Sequence, residues 1–204
     1  MATMLKLYVD YGRGFGRLNR AHIVLIPKKS DIEEVGDYGP ISLTHSVVNL
    51  FSKVLAIRAR RCMQEVVASN QSAFIKKRSL HENFLLVRQV ARKIHVRREA
   101  GLFLKLDISR DFDSLSCPFL FEVLRAKGFG RKWINWISML IRTTTTKVIV
   151  NGVPGKPFDH ACGMRQGDPI SLLLFVIAMD MLTSIMIKAT EENVVSSFID
   201  IKSL

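Results

Sequence analysis

Three places in this sequence hold residue types whose spacing could do chemistry. The first is LKLDISRDFDSL, residues 104–115, where Leu104, Leu106 and Ile108 alternate with Lys105 and Asp107. A period of two puts the apolar side chains on one buried face and leaves Asp107 at the strand end with its carboxylate outward. Ser109, Arg110, Asp111 and Asp113 then break the alternation and turn the chain. A carboxylate so presented can hold a hard divalent cation such as Mg2+, which takes oxygen ligands and keeps water that a substrate phosphate can replace; taken alone, the same stretch also fits a solvated acidic turn. The second place is the end of HIVLIPKK, where Lys28 and Lys29 can reach a phosphate or simply be solvated. The third is GMRQGDPISLLLF, residues 163–175: Gly163 and Gly167 flank Arg165 and Gln166, so the backbone can approach a ligand that the guanidinium and amide also reach.

The elements that must position these groups follow from pattern. A short strand runs from Asn19 into Pro27, and GDYGPIS, residues 36–42, reads as a turn by its glycine and proline content. Val47, Leu50, Phe51, Val54 and Leu55 recur at helical spacing, with Lys53, Arg58, Arg60 and Arg61 elsewhere on the same helix. A second basic helix spans about Leu80 to Arg97, its apolar stripe being Val87, Val90, Ala91 and Ile94. Between the two lies QSAFIKKRS, where Lys76, Lys77 and Arg78 stand beside Phe74; such a run can track a nucleic-acid backbone and stack a base, or be a plain charged surface. Pro118 opens a helix that Gly128 stops, and in the next helix Trp133, Trp136, Ile137 and Leu140 read as core. Lys147 to Val150 is a strand leading into the hairpin turn Asn151-Gly152. Asp168 and Pro169 look like the N-cap and first residue of a long apolar helix, which Asp180 marks as buried rather than membrane-spanning. The alternation of strands and helices points to an α+β or mixed α/β domain.

Composition bounds the partners. The 204 residues carry 30 Lys and Arg against 18 Asp and Glu, a net charge of +12, which favours nucleic acid first and anionic membrane second. Residues 53–98 hold twelve Lys and Arg but only Glu65 and Glu82 as acids, so this stretch, under a quarter of the chain, supplies nearly all the excess. Cys62, Cys117 and Cys162 form no disulfide framework or zinc spacing, which fits a reducing compartment. The first residues lack the apolar core of a secretory signal, so the expectation is an intracellular protein of nucleus or cytoplasm.

Taken in order, NRAHIVLIPKK, DYGPISL, FSKVLAIRARRCM, NQSAFIKKRSLHENFLL, LKLDISRDFDSL, GFGRKWINWI, VNGVPG and GMRQGDPISLLLF resemble the reverse transcriptase domain of plant LINE-type (non-LTR) retrotransposons, from about Asn19 to Lys188. The resemblance implies the fingers and partial palm of a right-hand polymerase. It divides the chain into a loosely ordered leader at 1–18, a fingers-like region at 19–100 and a partial palm at 101–204. Asp107 matches the first metal-binding aspartate, with the carbonyl of Ile108 beside it, and the implied metal is Mg2+ or Mn2+. Phe112 is similar to the aromatic that excludes a ribose 2′-hydroxyl, Lys28 to the lysine on the incoming triphosphate, and Gln166 with Gly167 to the loop that positions template and nucleotide. Arg58, Arg61, Lys76, Lys77 and Arg78 would meet nucleic acid. The implied partners are an RNA template, a DNA primer and deoxynucleoside triphosphates, with no membrane. The implied reaction is attack of a primer 3′-hydroxyl on the α-phosphate of a deoxynucleotide under two-metal catalysis.

Three positions and one missing motif depart from the family pattern. Gly39 stands where an arginine usually meets the nucleotide phosphates, Asp111 where alanine is usual, and Leu172 where proline is usual. The (Y/F)xDD that carries the second aspartate pair does not occur in the 204 residues, which finish with SSFIDIKSL. The expectation is therefore a polymerase fragment truncated before that motif and inactive by itself. The alternative is a non-catalytic RNA- or DNA-binding remnant that uses the basic 53–98 surface.

Overall fold

The structure is a computed structural model in which residues 15–98, 105–106, 114–160 and 163–195 are described. Helical turn α1 (Phe15–Leu18) leads into β1 (Arg20–Pro27), β2 (Tyr38–Thr44), α2 (Ser46–Arg60), α3 (Met63–Val66) and α4 (Leu80–Arg97). Beyond these come α5 (Cys117–Ala126), α6 (Arg131–Arg142), β3 (Thr145–Val150), β4 (Val153–Pro154), β5 (Phe158–Asp159) and α7 (Ser171–Glu191). The chain forms two compact units, one from the described residues within Met1–Ala59 and Arg110–Phe175, the other from those within Arg60–Ser109 and Val176–Leu204. Residues 19–100 and 101–204 each contribute to both units.

The first unit is built on a mixed five-stranded sheet with the order β2-β1-β3-β4, in which β5 also pairs with β3. β1 and β3 are parallel, Ala21 opposite Thr146 and His22 opposite Lys147; β2 is antiparallel to β1, and β4 and β5 are antiparallel to β3. One face is closed by Ala21 and Thr146, both buried. The residues on either side of them in sequence, Arg20, His22, Thr145 and Lys147, therefore share the opposite face. The Asn151-Gly152 turn takes the positive φ angles, 50° and 80°, that a tight hairpin needs. α5 is capped by the Ser116 hydroxyl, which accepts from the Phe119 N–H, and it ends where Gly128 adopts φ of 80° and Phe129 N–H returns to the Leu124 carbonyl. α5 and α6 pack on each other, burying Leu120, Leu124, Ile137 and Leu140, each contributing about 1.5–3 kcal/mol.

Several sequence expectations are corrected here. Tyr38–Thr44 is a strand, not a continuation of the turn at Gly36 and Asp37. Pro40 is harmless in it because β2 is an edge strand, and Pro40 faces the same way as Ser42, whose N–H points off the sheet to the Gln166 carbonyl. The buried line of α2 is Val48, Ser52, Leu55, Ala56 and Ala59, whereas Val47 and Leu50 of the expected stripe are exposed. Phe15–Leu18, in the segment read as a loose leader, is a helical turn, with Phe15 set edge-on to Phe51 at 5.8 Å. Trp133 and Trp136 are half-buried rather than core: Trp133 stacks on Phe129 at 4.6 Å, and Trp136 lies under the Arg58 guanidinium. Lys105 and Leu106 belong to neither helix nor strand and Leu106 is exposed, so the buried-strand expectation is not realised at these two residues. α7 begins at Ser171, two residues after Pro169.

In the second unit, Met63, Val67, Ile75, Val176, Ile177 and Ala178 are buried. The Asp180 carboxylate, 2% exposed, accepts the Ala68 N–H at 2.9 Å. α7 is long and apolar enough to cross a membrane by length and composition. The buried-helix reading holds for its first half; Leu182, Ile185, Met186 and Ile187 in the second half are exposed. α4 has the expected bounds but buries none of its residues, its expected stripe included.

Candidate functional site

Among the described candidate residues, the first unit brings Lys28 and the Gln166-Gly167 loop to the same strand. Lys28 follows β1, and its N–H is held by the Asp37 carbonyl at 2.9 Å while its ammonium lies 3.3 Å from the Gly36 carbonyl. The Lys28 side chain passes beside Gly39 of β2, which is in register with Ile26: a Cβ built there would stand 3.5 Å from Lys28 Cε, in ordinary contact. Three residues along β2, about 10 Å, the Ser42 N–H donates to the Gln166 carbonyl at 3.3 Å. Gly167 has φ of 93°, which only glycine adopts without strain, and it leaves the loop backbone open beside β2. A cation, an amide and an unobstructed backbone turn suit a phosphorylated ligand.

What fixes this loop is a buried polar network that the sequence reading missed. Arg165 donates to Asn19 Oδ1 at 2.8 Å and to Asp168 Oδ2 at 3.1 Å, with both ends of the ion pair 5% exposed. Asp168 Oδ1 accepts from the Ser52 hydroxyl and from the Ile170 N–H, and Ser52 in turn accepts from Ile170 N–H at 3.2 Å. Asn19 completes the set by donating to the Leu140 carbonyl and the Thr143 hydroxyl, both at 2.8 Å. Burial pulls the Arg165 pKa down, and the Asp168 charge opposes that pull. Residues from β1's entry, α2, the end of α6 and the RQGD turn are thus tied together. The usable signal in the sequence was a polar serine in the middle of the apolar run of α2.

The turn before β2 has its own electrostatics. Asp37 accepts from Glu33 and Glu34 N–H at 3.0 and 3.1 Å and pairs with Lys29 at 3.0 Å. The Glu33 N–H, then the Lys29 ammonium, then the Glu34 N–H hold its carboxyl below the usual aspartate range. A depressed folded pKa gives stability that is present above the unfolded value and lost as pH falls through the folded one. Amide-exchange protection at Glu33 and Glu34 should therefore be flat from about pH 5 to 8 and fall below about pH 4. Asp37→Asn should remove that dependence; protection that ignores pH in the wild type would contradict the pairing.

The basic candidates divide between the two units. Arg58, in the first, is half-buried with its guanidinium 5.8 Å from the Trp136 ring centroid, a cation–π contact. In the second, Arg61, Lys76 and Lys77 are exposed. Arg78 is committed to structure: its guanidinium donates to the carbonyls of Ala68 (2.5 Å), Gln71 (2.7 Å), Gln64 and Val67 (both 3.1 Å). It clamps the loop in which Phe74 and Lys77 hold positive φ angles of 62° and 67°. Arg78→Ala should cost about 2–4 kcal/mol in chemical denaturation, since four carbonyls lose a charged donor. Lys76→Ala and Lys77→Ala should each stay within about 0.5 kcal/mol.

Asp107, Ile108 and Phe112 lie outside the described residues, as does Asp111. No group of three or more His, Cys, Asp or Glu that could hold a metal occurs among the described residues.

The first unit is thus a mixed sheet with Lys28 and the Gln166-Gly167 loop beside its edge strand β2. The sequence matches the family described as "Reverse transcriptase (RNA-dependent DNA polymerase)" over residues 26–200, and the chain belongs to that family. Among curated relatives, it is 28% identical over 189 residues to "Transposon TX1 uncharacterized 149 kDa protein" of Xenopus laevis, covering 87% of this chain and 14% of that protein. It is 29% identical over 182 residues to "Retrovirus-related Pol polyprotein from type-2 retrotransposable element R2DM" of Drosophila melanogaster, covering 89% and 17%. A Nasonia vitripennis Pol polyprotein from a type-1 R2 element is 26% identical, covering 87% and 17%. The chain therefore spans less than a fifth of the length of these relatives. These relatives are proteins of transposons and retrotransposable elements.

Proposed function

We propose that this chain supplies the fingers and part of the palm of a LINE-type reverse transcriptase, acting inside the cell, and that the 204 residues alone do not polymerise. The observation that carries the reading is the convergence of Lys28 and the Gln166-Gly167 loop on β2 in a chain of this family. In it, the Lys28 ammonium meets the incoming triphosphate, the Gln166-Gly167 backbone seats template and nucleotide, and Phe112 screens the sugar. A divalent cation, Mg2+ or Mn2+, would be held by Asp107 and the Ile108 carbonyl and would stabilise charge on the transferring phosphate. Residues of this chain then hold the triphosphate and orient its α-phosphate toward the primer hydroxyl. The non-catalytic alternative draws on Arg61, Lys76 and Lys77, which are exposed.

Primer extension on an RNA template separates these readings. The isolated chain should give no product with Mg2+, and the chain continued into a segment bearing (Y/F)xDD should extend a DNA primer. Gly39→Arg in the continued chain should lower the KM for deoxynucleotide about tenfold or more, because a charge-assisted contact to phosphate contributes about 1.5–3 kcal/mol, and the site admits a Cβ in ordinary contact. A folded continued chain that binds RNA but never extends a primer would favour the non-catalytic reading.

A further inference from the structure

We propose that the face of the first unit's sheet that carries Arg20, His22, Thr145 and Lys147 is a separate binding site for the phosphodiester backbone of single-stranded RNA. A cleft of about 470 Å³ opens there, lined among the described residues by Arg17, Arg20, Ala21, His22, Thr145 and Lys147, together with Gly16 and Pro157. The parallel register of β1 and β3 creates it, setting His22 opposite Lys147 and Arg20 opposite Thr145 on one face while Ala21 and Thr146 go to the buried face. Among the described residues, no acidic one lines the cleft. Arg17, Arg20 and Lys147 have no carboxylate partner among the described residues. Asp159, in register with Thr145, accepts the Thr145 hydroxyl at 2.9 Å.

Shape and charge spacing decide the ligand. The volume is that of a small-ligand pocket and excludes a duplex. Arg20 and His22 are two residues apart on one strand, about 6.6 Å, and Lys147 lies one strand over, about 4.8 Å. Cations spread in this way suit a chain of single negative charges better than one compact polyphosphate. His22 adds a ring on which a base can stack. This site is distinct from the Lys28 and Gln166 site, none of whose residues line it. The choice of RNA rests on the reverse transcriptase reading; the cleft and its charge do not.

The test is equilibrium binding of a fluorescent oligouridylate by the whole 204-residue chain as a function of salt, which needs no polymerase activity. Arg20→Gln with Lys147→Gln should weaken binding about tenfold at low salt and reduce the log–log salt slope by about 1.4, or about 0.7 for each lost phosphate contact on a single strand. The charge-keeping pair Arg20→Lys with Lys147→Arg should retain the slope. In the wild type, thiouridine-substituted RNA should crosslink to peptides of β1 or β3, a readout independent of variant folding. The proposal is overturned by an unchanged slope in the folded Gln variant, by crosslinks confined to α2–α4, by no RNA binding, or by a free nucleoside triphosphate displacing the RNA from these peptides. Crosslinks confined to α2–α4 would leave the reverse transcriptase reading standing, whereas failure of primer extension would leave the cleft standing.

Discussion

Replacing Asp168 with alanine is expected to lower the unfolding free energy by about 3–5 kcal/mol, the cost of leaving a buried charge without its partner. Among the described residues, Arg165 would keep only the Asn19 oxygen of its two side-chain acceptors, and burial already works against its charge. The same change removes the acceptor of the Ser52 hydroxyl and one acceptor of the Ile170 N–H. Asp168→Asn, which keeps an acceptor but not the charge, should fall between Asp168→Ala and wild type. Ser52→Ala should cost about 1–2 kcal/mol, because Asp168 and Ile170 remain bonded to each other. Urea unfolding of the three variants checks the order; a loss under about 1 kcal/mol for Asp168→Ala would mean that Arg165 reaches water. Because the network anchors the turn carrying Gln166, loss of loop order should accompany loss of stability.

In a chain continued through a (Y/F)xDD segment, Asp107→Ala is expected to reduce primer extension by about a thousandfold or more, the equivalent of about 4 kcal/mol of lost charge stabilisation at the transferring phosphate. In the isolated chain the same substitution should change nothing, since one carboxylate and one carbonyl leave an octahedral ion mostly hydrated. Extension by the isolated chain in an Asp107-dependent way would overturn the reading that these 204 residues do not polymerise alone. Extension by the continued Asp107→Ala chain at the wild-type rate would overturn the assignment of Asp107.

Local signals in the sequence carried the elements whose causes are local. The Asn151-Gly152 hairpin, the Ser116 and Gly128 limits around α5, and the span of α4 follow from turn chemistry, caps and helical spacing within a few residues. Lys28 and Gln166-Gly167 could be singled out from residue type, and the basic excess of residues 53–98 from counting. Elements whose causes are distant could not be read in this way. Tyr38–Thr44 is a strand because β1 pairs with it and because an edge position makes no demand on the N–H that Pro40 lacks. On the buried side of α2, Ser52 bonds a carboxylate 116 residues away, while Val47 and Leu50 lie outside. Arg78 reads as a surface cation until the loop it clamps is folded around it. The cleft formed by Arg20, His22 and Lys147 depends on the parallel register of two strands far apart in the chain, a pairing that no short-range pattern encodes. Charge and turn chemistry are properties of short segments and stay visible in them, whereas burial, register and the partner of a polar group are decided only when the chain brings distant residues together.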